Sequence, residues 1–186
     1  MFDKATPLVS CLAAFVVCSI SSLGVETFEY REKLAEQGDA HSQWYLGMLY
    51  YNGIEVPQDR EQAVKWYTAA AEQGNYSAQF NLGKMYYKGE VVPQDYKQAA
   101  KWYRKAAEQG KAADQQYLGE MYEYGKGVPQ DIAQAHMWYN IAAANGDELA
   151  KKFRINLARK MTSDQIAEAQ RMAREMVEAN PKLLGD

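Results

Sequence analysis

The chain repeats itself at a fixed period, and this periodicity restricts its fold more than any other feature. The segment AEQG begins at Ala35, returns at Ala71 and Ala107, and has a degenerate copy, AANG, at Ala143. A period of about 20 to 50 residues is typical of a solenoid, in which each unit buries its apolar face against its neighbours. Three other markers keep the same 36-residue spacing: Gly47, Gly83 and Gly119; Pro57, Pro93 and Pro129; and Trp66, Trp102 and Trp138.

Each unit is predicted to contain two helices, of which the first follows the AEQG glycine. Asp39 and Asn75 are suited to cap this helix in the first two units, whereas Lys111 at the same place in the third unit has no side-chain acceptor. The first helix is predicted to end at the glycine of Asn52-Gly53 and of its two equivalents, because glycine readily adopts the left-handed conformation that ends helices.

The second helix of each unit begins at a recurring Val-Pro-Gln-Asp loop. The aspartates of the three loops are Asp59, Asp95 and Asp131, and each stands three residues before a glutamine. This spacing predicts a capping box. Gly47 and Ala63 recur where the two helices must approach closely, and a helical glycine costs about 1 kcal/mol relative to alanine. Its recurrence therefore indicates a steric requirement.

The pattern A-x-x-x-LG-x-x-Y-x-x-G-x-x-VP-x-D-x-x-x-A-x-x-WY-x-x-A-A-x-x-G resembles that of the Sel-1-like repeat family, a relative of the tetratricopeptide repeats. The resemblance covers Ala35 to Gly146 and implies an all-α fold, a right-handed α-solenoid of helix-turn-helix repeats. Two departures stand out. Asn81 replaces the tyrosine that precedes the Leu-Gly pair in the other units, and Asp114 replaces a small residue.

The repeats divide the chain into units. We expect repeats at residues 35–70, 71–106 and 107–142, an N-terminal capping helix at 25–34 and divergent C-terminal capping helices at 143–186. The last helix is predicted to begin at a capping box, Thr162-Ser-Asp-Gln, and to end before Pro181. About nine helices in a single domain are expected.

The first 24 residues differ from the rest and predict a signal peptide. A start with a single lysine, Lys4, is followed by an apolar run from Leu8 to Ile20 and then by small residues, which places cleavage near residues 21–25. The exported domain would be periplasmic or secreted from a bacterial cell, with no membrane association after cleavage. An uncleaved membrane anchor is the alternative. Both cysteines, Cys11 and Cys18, lie in this segment, so the mature chain would contain no disulfide.

Nothing in the sequence predicts catalysis, a cofactor or a metal. The net charge of -3 argues against nucleic acid as a partner. The two histidines, His41 and His136, have no ligand spacing and are expected at the surface. Some secreted, cysteine-rich members of the resembling family are described as penicillin-binding proteins or weak β-lactamases. Their repeats are stapled by cysteine pairs that this sequence lacks.

The residues that change between repeats are the candidates for partner binding. In tetratricopeptide arrays the first helices line a concave groove. Positions in each unit are numbered from its AEQG alanine, so that Ala35, Ala71 and Ala107 are position 1. When the Leu-Gly pairs are aligned with those arrays, the equivalent face consists of positions 7, 10, 14, 17 and 18. It is predicted to be aromatic in the first unit, aromatic and basic in the second, and acidic in the third. The candidates at the last four positions are Trp44, Phe80 and Gln116; Met48, Lys84 and Glu120; Tyr51, Tyr87 and Glu123; and Asn52, Lys88 and Tyr124.

Aromatic anchors with flanking charge suit an extended peptide or a partner helix. Trp44 and Phe80 have a second interpretation, as packing between helices, whereas Tyr51, Lys84, Tyr87 and Lys88 are expected to be exposed. The predicted function is an exported, non-enzymatic scaffold that binds a protein or peptide on the concave face. The alternative is a cell-wall-directed protein that binds β-lactams or peptidoglycan, or a weak β-lactamase-like hydrolase.

Overall fold

The structure of the protein is a computed structural model that describes residues 27–185. The predicted signal peptide and both cysteines lie outside the described residues. Within residues 27–185 the chain forms nine α-helices, a final 3-10 helix and no strand. Their bounds are α1 Phe28–Glu36, α2 Ala40–Asn52, α3 Arg60–Glu72, α4 Tyr76–Lys88, α5 Tyr96–Ala107, α6 Ala112–Tyr124, α7 Ile132–Ala144, α8 Glu148–Ala158, α9 Ser163–Ala179 and the 3-10 helix Pro181–Leu184.

The helices pack as a stack of hairpins. The most extensive interfaces join α2 to α3, α4 to α5 and α6 to α7, and each hairpin also packs on the next through α3 with α4 and α5 with α6. Helices α8 and α9 both pack against α7 and close this end of the stack. The all-α solenoid predicted from the periodicity is confirmed.

The helix boundaries follow the capping chemistry of the sequence. Asp39 accepts a hydrogen bond from the backbone N–H of Ser42 at 2.7 Å, and Asn75 caps α4 in the same way. Lys111 provides no side-chain cap to α6, as predicted. The loop aspartates accept from exposed N–H groups at the starts of α3, α5 and α7. The complete reciprocal capping box forms at Thr162 and starts α9.

The recurring glycines of the first helices lie against tyrosine rings of the second helices. A Cβ atom placed on Gly47 would lie 2.6 Å from the ring of Tyr67, and one on Gly83 would lie 2.8 Å from that of Tyr103. Ordinary carbon contacts are about 3.5 to 4.0 Å, so no side chain fits there without displacement. The steric requirement inferred from the sequence is confirmed, and it is the reason the helices of each hairpin approach so closely.

The prediction that both histidines lie at the surface is wrong for one of them. His41 is exposed, whereas His136 is buried and its Nδ1 has no hydrogen-bond partner among the described residues. Burial lowers the pKa of His136, and the positive charge of Arg154 acts in the same direction. The cause is tertiary: α7, which carries His136, is covered by α6, α8 and α9.

Candidate functional site

The predicted partner-binding residues lie on α2, α4 and α6, and we call the surface they form the groove face. Their side chains differ in accessibility. Exposed members are Asn52, Lys84, Lys88 and Tyr124; half-buried members are Trp44, Met48, Tyr51, Phe80, Tyr87, Glu120 and Glu123; Gln116 is buried. The two lysines are exposed, as expected, and Lys88 pairs with Glu90 at 3.4 Å. Tyr51 and Tyr87, which were expected to be exposed, are half-buried.

One cluster joins the groove faces of the second and third units. The hydroxyl of Tyr87 donates to Oε1 of Glu120 at 2.6 Å, and the ammonium of Lys126 donates to the Tyr87 hydroxyl. Lys126 also lies 3.3 Å from Glu120. Burial, together with the bond to Glu120, raises the pKa of Tyr87. Two predicted contact residues thus serve first to tie neighbouring units together, with a lysine that lies in a loop and that the groove alignment missed.

Other predicted residues also have partners within the chain. The hydroxyl of Tyr51 donates to Oε2 of Glu90 at 3.3 Å, and Glu123 accepts from the hydroxyl of Tyr139 at 2.8 Å. Phe80 packs in an aromatic cluster, with its ring centroid 6.1 Å from that of Tyr103. These contacts hold the side chains of the groove face in fixed positions, which lowers the entropic cost of binding a partner.

A cavity of about 560 Å³ opens on the groove face between the second and third units. It combines the two aromatic residues of position 10, the first turns of α4 and α6, and the C-terminal segment. Its wall contains Trp44, Tyr76, Ser77, Phe80, Asn81, Gly110, Lys111, Ala112, Ala113, Asp114, Asn145, Leu184 and Gly185. Trp44 and Phe80 therefore both pack between helices and line a cavity, so their two interpretations are compatible.

Three polar atoms in the cavity-lining residues are buried without a hydrogen-bond partner: Trp44 Nε1, Asp114 Oδ1 and Asn145 Oδ1. Asp114 is only 3% exposed, and burial raises the pKa of its carboxyl group to about 7. Buried polar groups are normally satisfied, so three unpaired ones around one cavity are unusual. The same position carries Ser42 and Ala78 in the other units. The break in the repeat pattern at Asp114 was the signal in the sequence.

Buried amides connect successive units beside this cavity. Gln79 Nε2 donates to the carbonyl oxygen of Ala71 at 3.0 Å, and Gln109 Nε2 donates to Oε1 of Gln79 at 2.8 Å. Gln43 and Gln73 make the equivalent pair one unit earlier. Because these bonds are made inside the stack, the amide groups are positioned by neighbours on both sides.

In the third unit the equivalent amides also hold a piece of backbone. Gln115 Nε2 and Asn145 Nδ2 donate to the carbonyl oxygen of Leu183 at 2.7 Å and 2.6 Å. Asn180 fixes the start of the same segment by donating to the carbonyl oxygen of Glu108 at 3.0 Å. The C-terminal segment is thus a short peptide held through its main chain next to the cavity.

Two kinds of site were sought in the described part of the chain, a metal centre and a membrane-spanning helix. Residues 27–185 contain no group of three or more His, Cys, Asp or Glu side chains that could hold a metal ion. Over the same range no helix has the length and hydropathy of a membrane span.

Comparison with known proteins identifies the repeat. The family model for the Sel1 repeat matches residues 40–75, 77–111 and 112–147. A Sel1 repeat protein from Oxalobacter formigenes is 37% identical, with a TM-score of 0.67 over 71% of this chain and 99% of its own. The protein c5321, a protective antigen present in uropathogenic Escherichia coli strains, displays the same fold with 35% identity and a TM-score of 0.57. That match covers 84% of this chain but 42% of c5321. No curated protein matches the chain.

Proposed function

Because the chain belongs to the Sel1 repeat family, we propose that it is an exported, non-enzymatic scaffold that binds a protein or peptide partner through its groove face. Sel1 repeats generally mediate protein–protein interaction and are typically non-catalytic. Membership of the family supports this general role and does not specify the partner, since one fold hosts many functions. The proposed location of the partner site is supported by the exposed and half-buried side chains of the groove face.

The observation that carries the proposal is the C-terminal segment held beside the cavity. Its Leu183 carbonyl is bound by Gln115 and Asn145, side chains whose own positions are fixed by the stack. These two amides are occupied by Leu183, and they show that side-chain amides positioned by the stack can hold a backbone carbonyl, which is the kind of bond that peptide recognition uses. Next to it, a partner would find the cavity, half-buried aromatic rings and the exposed lysines Lys84 and Lys88.

Export is the second part of the proposal and rests on residues 1–24. The apolar run and the small residues that follow it, after a start with one lysine, support a cleavable signal peptide. Fractionation of the native bacterial host, followed by mass spectrometry of the mature N-terminus, tests this part. A chain that begins near residues 21–25 in the periplasm or medium is expected. An intact N-terminus on cytoplasmic protein contradicts export.

Capture of partners from envelope and secreted fractions tests the scaffold. We expect a specific partner to bind the full chain and to be lost when Lys84 and Lys88 are changed together to Glu, because both project from the groove face. Lys65 and Lys101, exposed on α3 and α5, provide the matched control: changing both to Glu reverses two charges away from that face and leaves capture intact. Equal capture by all variants refutes the assignment of the surface. Turnover of nitrocefin or of muropeptides by the purified chain refutes its non-enzymatic character.

A further inference from the structure

Helix α8 is the first helix of an incomplete fourth unit. Its N-cap, Asp147, follows Lys111 at the same 36-residue spacing that separates the N-caps of α2, α4 and α6. It packs on α7 as α4 packs on α3 and as α6 packs on α5. Helix α9, which follows it, packs against α7 instead of completing a hairpin. The groove face therefore extends one helix beyond the third repeat.

The groove-face positions of this fourth unit carry exposed side chains. With Ala143 as position 1, positions 7, 10, 14, 17 and 18 are Leu149, Lys152, Asn156, Arg159 and Lys160. All five are exposed, and the apolar side chain of Leu149 is 49% exposed. Residues three and four apart share one side of a helix, so these side chains form a single stripe.

A second cavity shows that α6 and α8 share this face. It has a volume of about 440 Å³ and is lined by Glu120, Glu123, Tyr124, Tyr139, Phe153, Asn156 and Lys160. Three of these residues hold positions 14, 17 and 18 of the third unit, and two hold positions 14 and 18 of the fourth. Equivalent side chains of neighbouring units thus meet around one opening.

The stripe on α8 is strongly basic. Five basic side chains and one acidic side chain lie between residues 148 and 160, although the whole chain has a net charge of -3. The single acid, Glu148, lies 3.4 Å from Lys151 on a neighbouring part of the helix surface. Among residues 27–185, the cations of the stripe, Lys152, Arg159 and Lys160, form no ion pair.

The acids of the third unit do not neutralise these cations, because they have other partners. Glu120 pairs with Lys126 and accepts from the hydroxyl of Tyr87. Glu123 accepts from the hydroxyl of Tyr139 at 2.8 Å. Lys160 lines the same cavity as both acids and still makes no ion pair with either. The positive charge of the stripe is therefore available to an anion from outside the chain.

We propose that the stripe on α8 binds a run of acidic side chains in the partner protein or peptide, an inference that rests on the proposed scaffold function. Carboxylates of the partner pair with Lys152, Arg159 and Lys160, and an apolar side chain beside them contacts Leu149. The acidic run lies at the α8 end of the groove face, and the rest of the partner extends towards α2. Complementary charge thus fixes the direction in which the partner lies.

The shape of the surface favours a polypeptide over an anionic membrane. Lys160 lines a cavity between two helices, which a carboxylate side chain can enter and a lipid bilayer cannot. Recognition of acidic motifs by clusters of basic side chains is a recurring mode of peptide binding. The exposed Leu149 gives such a peptide an apolar contact next to the charged ones.

Short peptides test the assignment directly. The full-length ¹⁵N-labelled chain is titrated with acetyl-Leu-Glu-Glu-Asp-Glu-Gly-amide, and binding is followed by the backbone amide signals of α8. One comparison peptide carries glutamine and asparagine in place of the acids, and another carries lysine. We expect saturable shifts with the acidic peptide and an affinity at least about tenfold lower for the other two. Binding should weaken as the salt concentration rises from about 0.05 M to about 0.5 M.

Two triple variants with the same loss of charge locate the effect. Changing Lys152, Arg159 and Lys160 together to Gln is expected to lower the affinity for the acidic peptide about tenfold. The matched control changes Lys65, Lys97 and Lys101 to Gln, which removes three exposed positive charges from the second helices and leaves the affinity within about twofold. All six side chains are exposed, so both variants are expected to fold, and circular dichroism checks this.

Several results would overturn the proposal. Equal binding of the uncharged peptide, no saturable binding of the acidic one, or equal losses in the two triple variants each contradict an acidic ligand on α8. Cosedimentation with vesicles of phosphatidylglycerol and phosphatidylcholine, lost only in the α8 variant, would assign the cations to a membrane. Failure here is distinguishable from failure of the scaffold: a partner captured through Lys84 and Lys88, with undiminished affinity for the α8 variant, keeps the scaffold and eliminates the acidic run.

Discussion

Adding a single methyl group at Gly83 tests the packing that sets the shape of the array. A Cβ at this position would lie 2.8 Å from two ring carbons of Tyr103, about 0.8 Å closer than an ordinary carbon contact. The ring cannot retreat easily, because it stacks on Tyr117 with centroids 5.0 Å apart and also packs against Phe80 and Tyr87. The contact is therefore expected to be relieved by separation of α4 from α5.

The expected change in the free energy of unfolding is the difference between two opposing contributions. Overpacking costs about 1 to 3 kcal/mol, and the confined ring places this site at the upper end. Alanine has a better helix propensity than glycine by about 1 kcal/mol. We therefore expect Gly83→Ala to lower the free energy of unfolding by about 2 kcal/mol. Gly47→Ala and Gly119→Ala should behave alike, since their Cβ atoms would meet the equivalent tyrosine rings.

Urea unfolding followed by far-UV circular dichroism measures this change. A double-mutant cycle with Tyr103→Leu provides the control, because removal of the ring should abolish most of the cost of the added methyl group. A rise of about 1 kcal/mol in the stability of Gly83→Ala, as helix propensity alone predicts, would refute the reasoning. So would an unchanged loss in the Tyr103→Leu background.

Three further changes test the loops and the cavity by the same assay. Gly127→Ala should cost at least about 2 kcal/mol more than Gly146→Ala, because both residues have a left-handed backbone but only the first Cβ would strike the Tyr96 carbonyl group; equal costs contradict this. Glu55→Gly should raise stability by about 0.5 kcal/mol, since φ is 64° there, and a loss contradicts it. Burial raises the pKa of Asp114 to about 7 from 3.8, so the folded chain binds this proton more tightly than the unfolded chain. As the pH rises from about 4 to about 7, the free energy of unfolding should therefore fall, by on the order of a few kcal/mol at most. Asp114→Ala should lose this pH dependence, and identical pH profiles for the variant and the unchanged chain contradict the prediction.

The features that the sequence predicted correctly are those determined locally. The caps at Asp39 and Asn75, the left-handed glycines after α2, α4 and α6, and the capping box at Thr162 depend on residues a few positions apart. The period of the repeat then requires the units to stack, because each one carries the same unburied apolar side. Local rules and periodicity together were enough to predict the solenoid.

The features that escaped prediction depend on contacts between distant parts of the chain. His136 is buried because helices outside the repeat pattern cover α7. Tyr87, Glu120 and Lys126 meet across two units, so the half-buried state of Tyr87 could not be inferred from the face of its own helix. Asp114 is the exception, because the sequence marked it as a departure from a small residue, and the structure shows it buried among the residues that line the cavity.

Site-specific photo-cross-linking tests the central claim, that the groove face is the surface a partner contacts. A photoreactive amino acid is introduced singly at Lys84 and Tyr124, exposed on the groove face, and at Lys65 and Lys101, exposed on the second helices. The account predicts covalent capture of the same partner from the first two positions and none from the last two. Capture from Lys65 or Lys101, with none from the groove face, would contradict it.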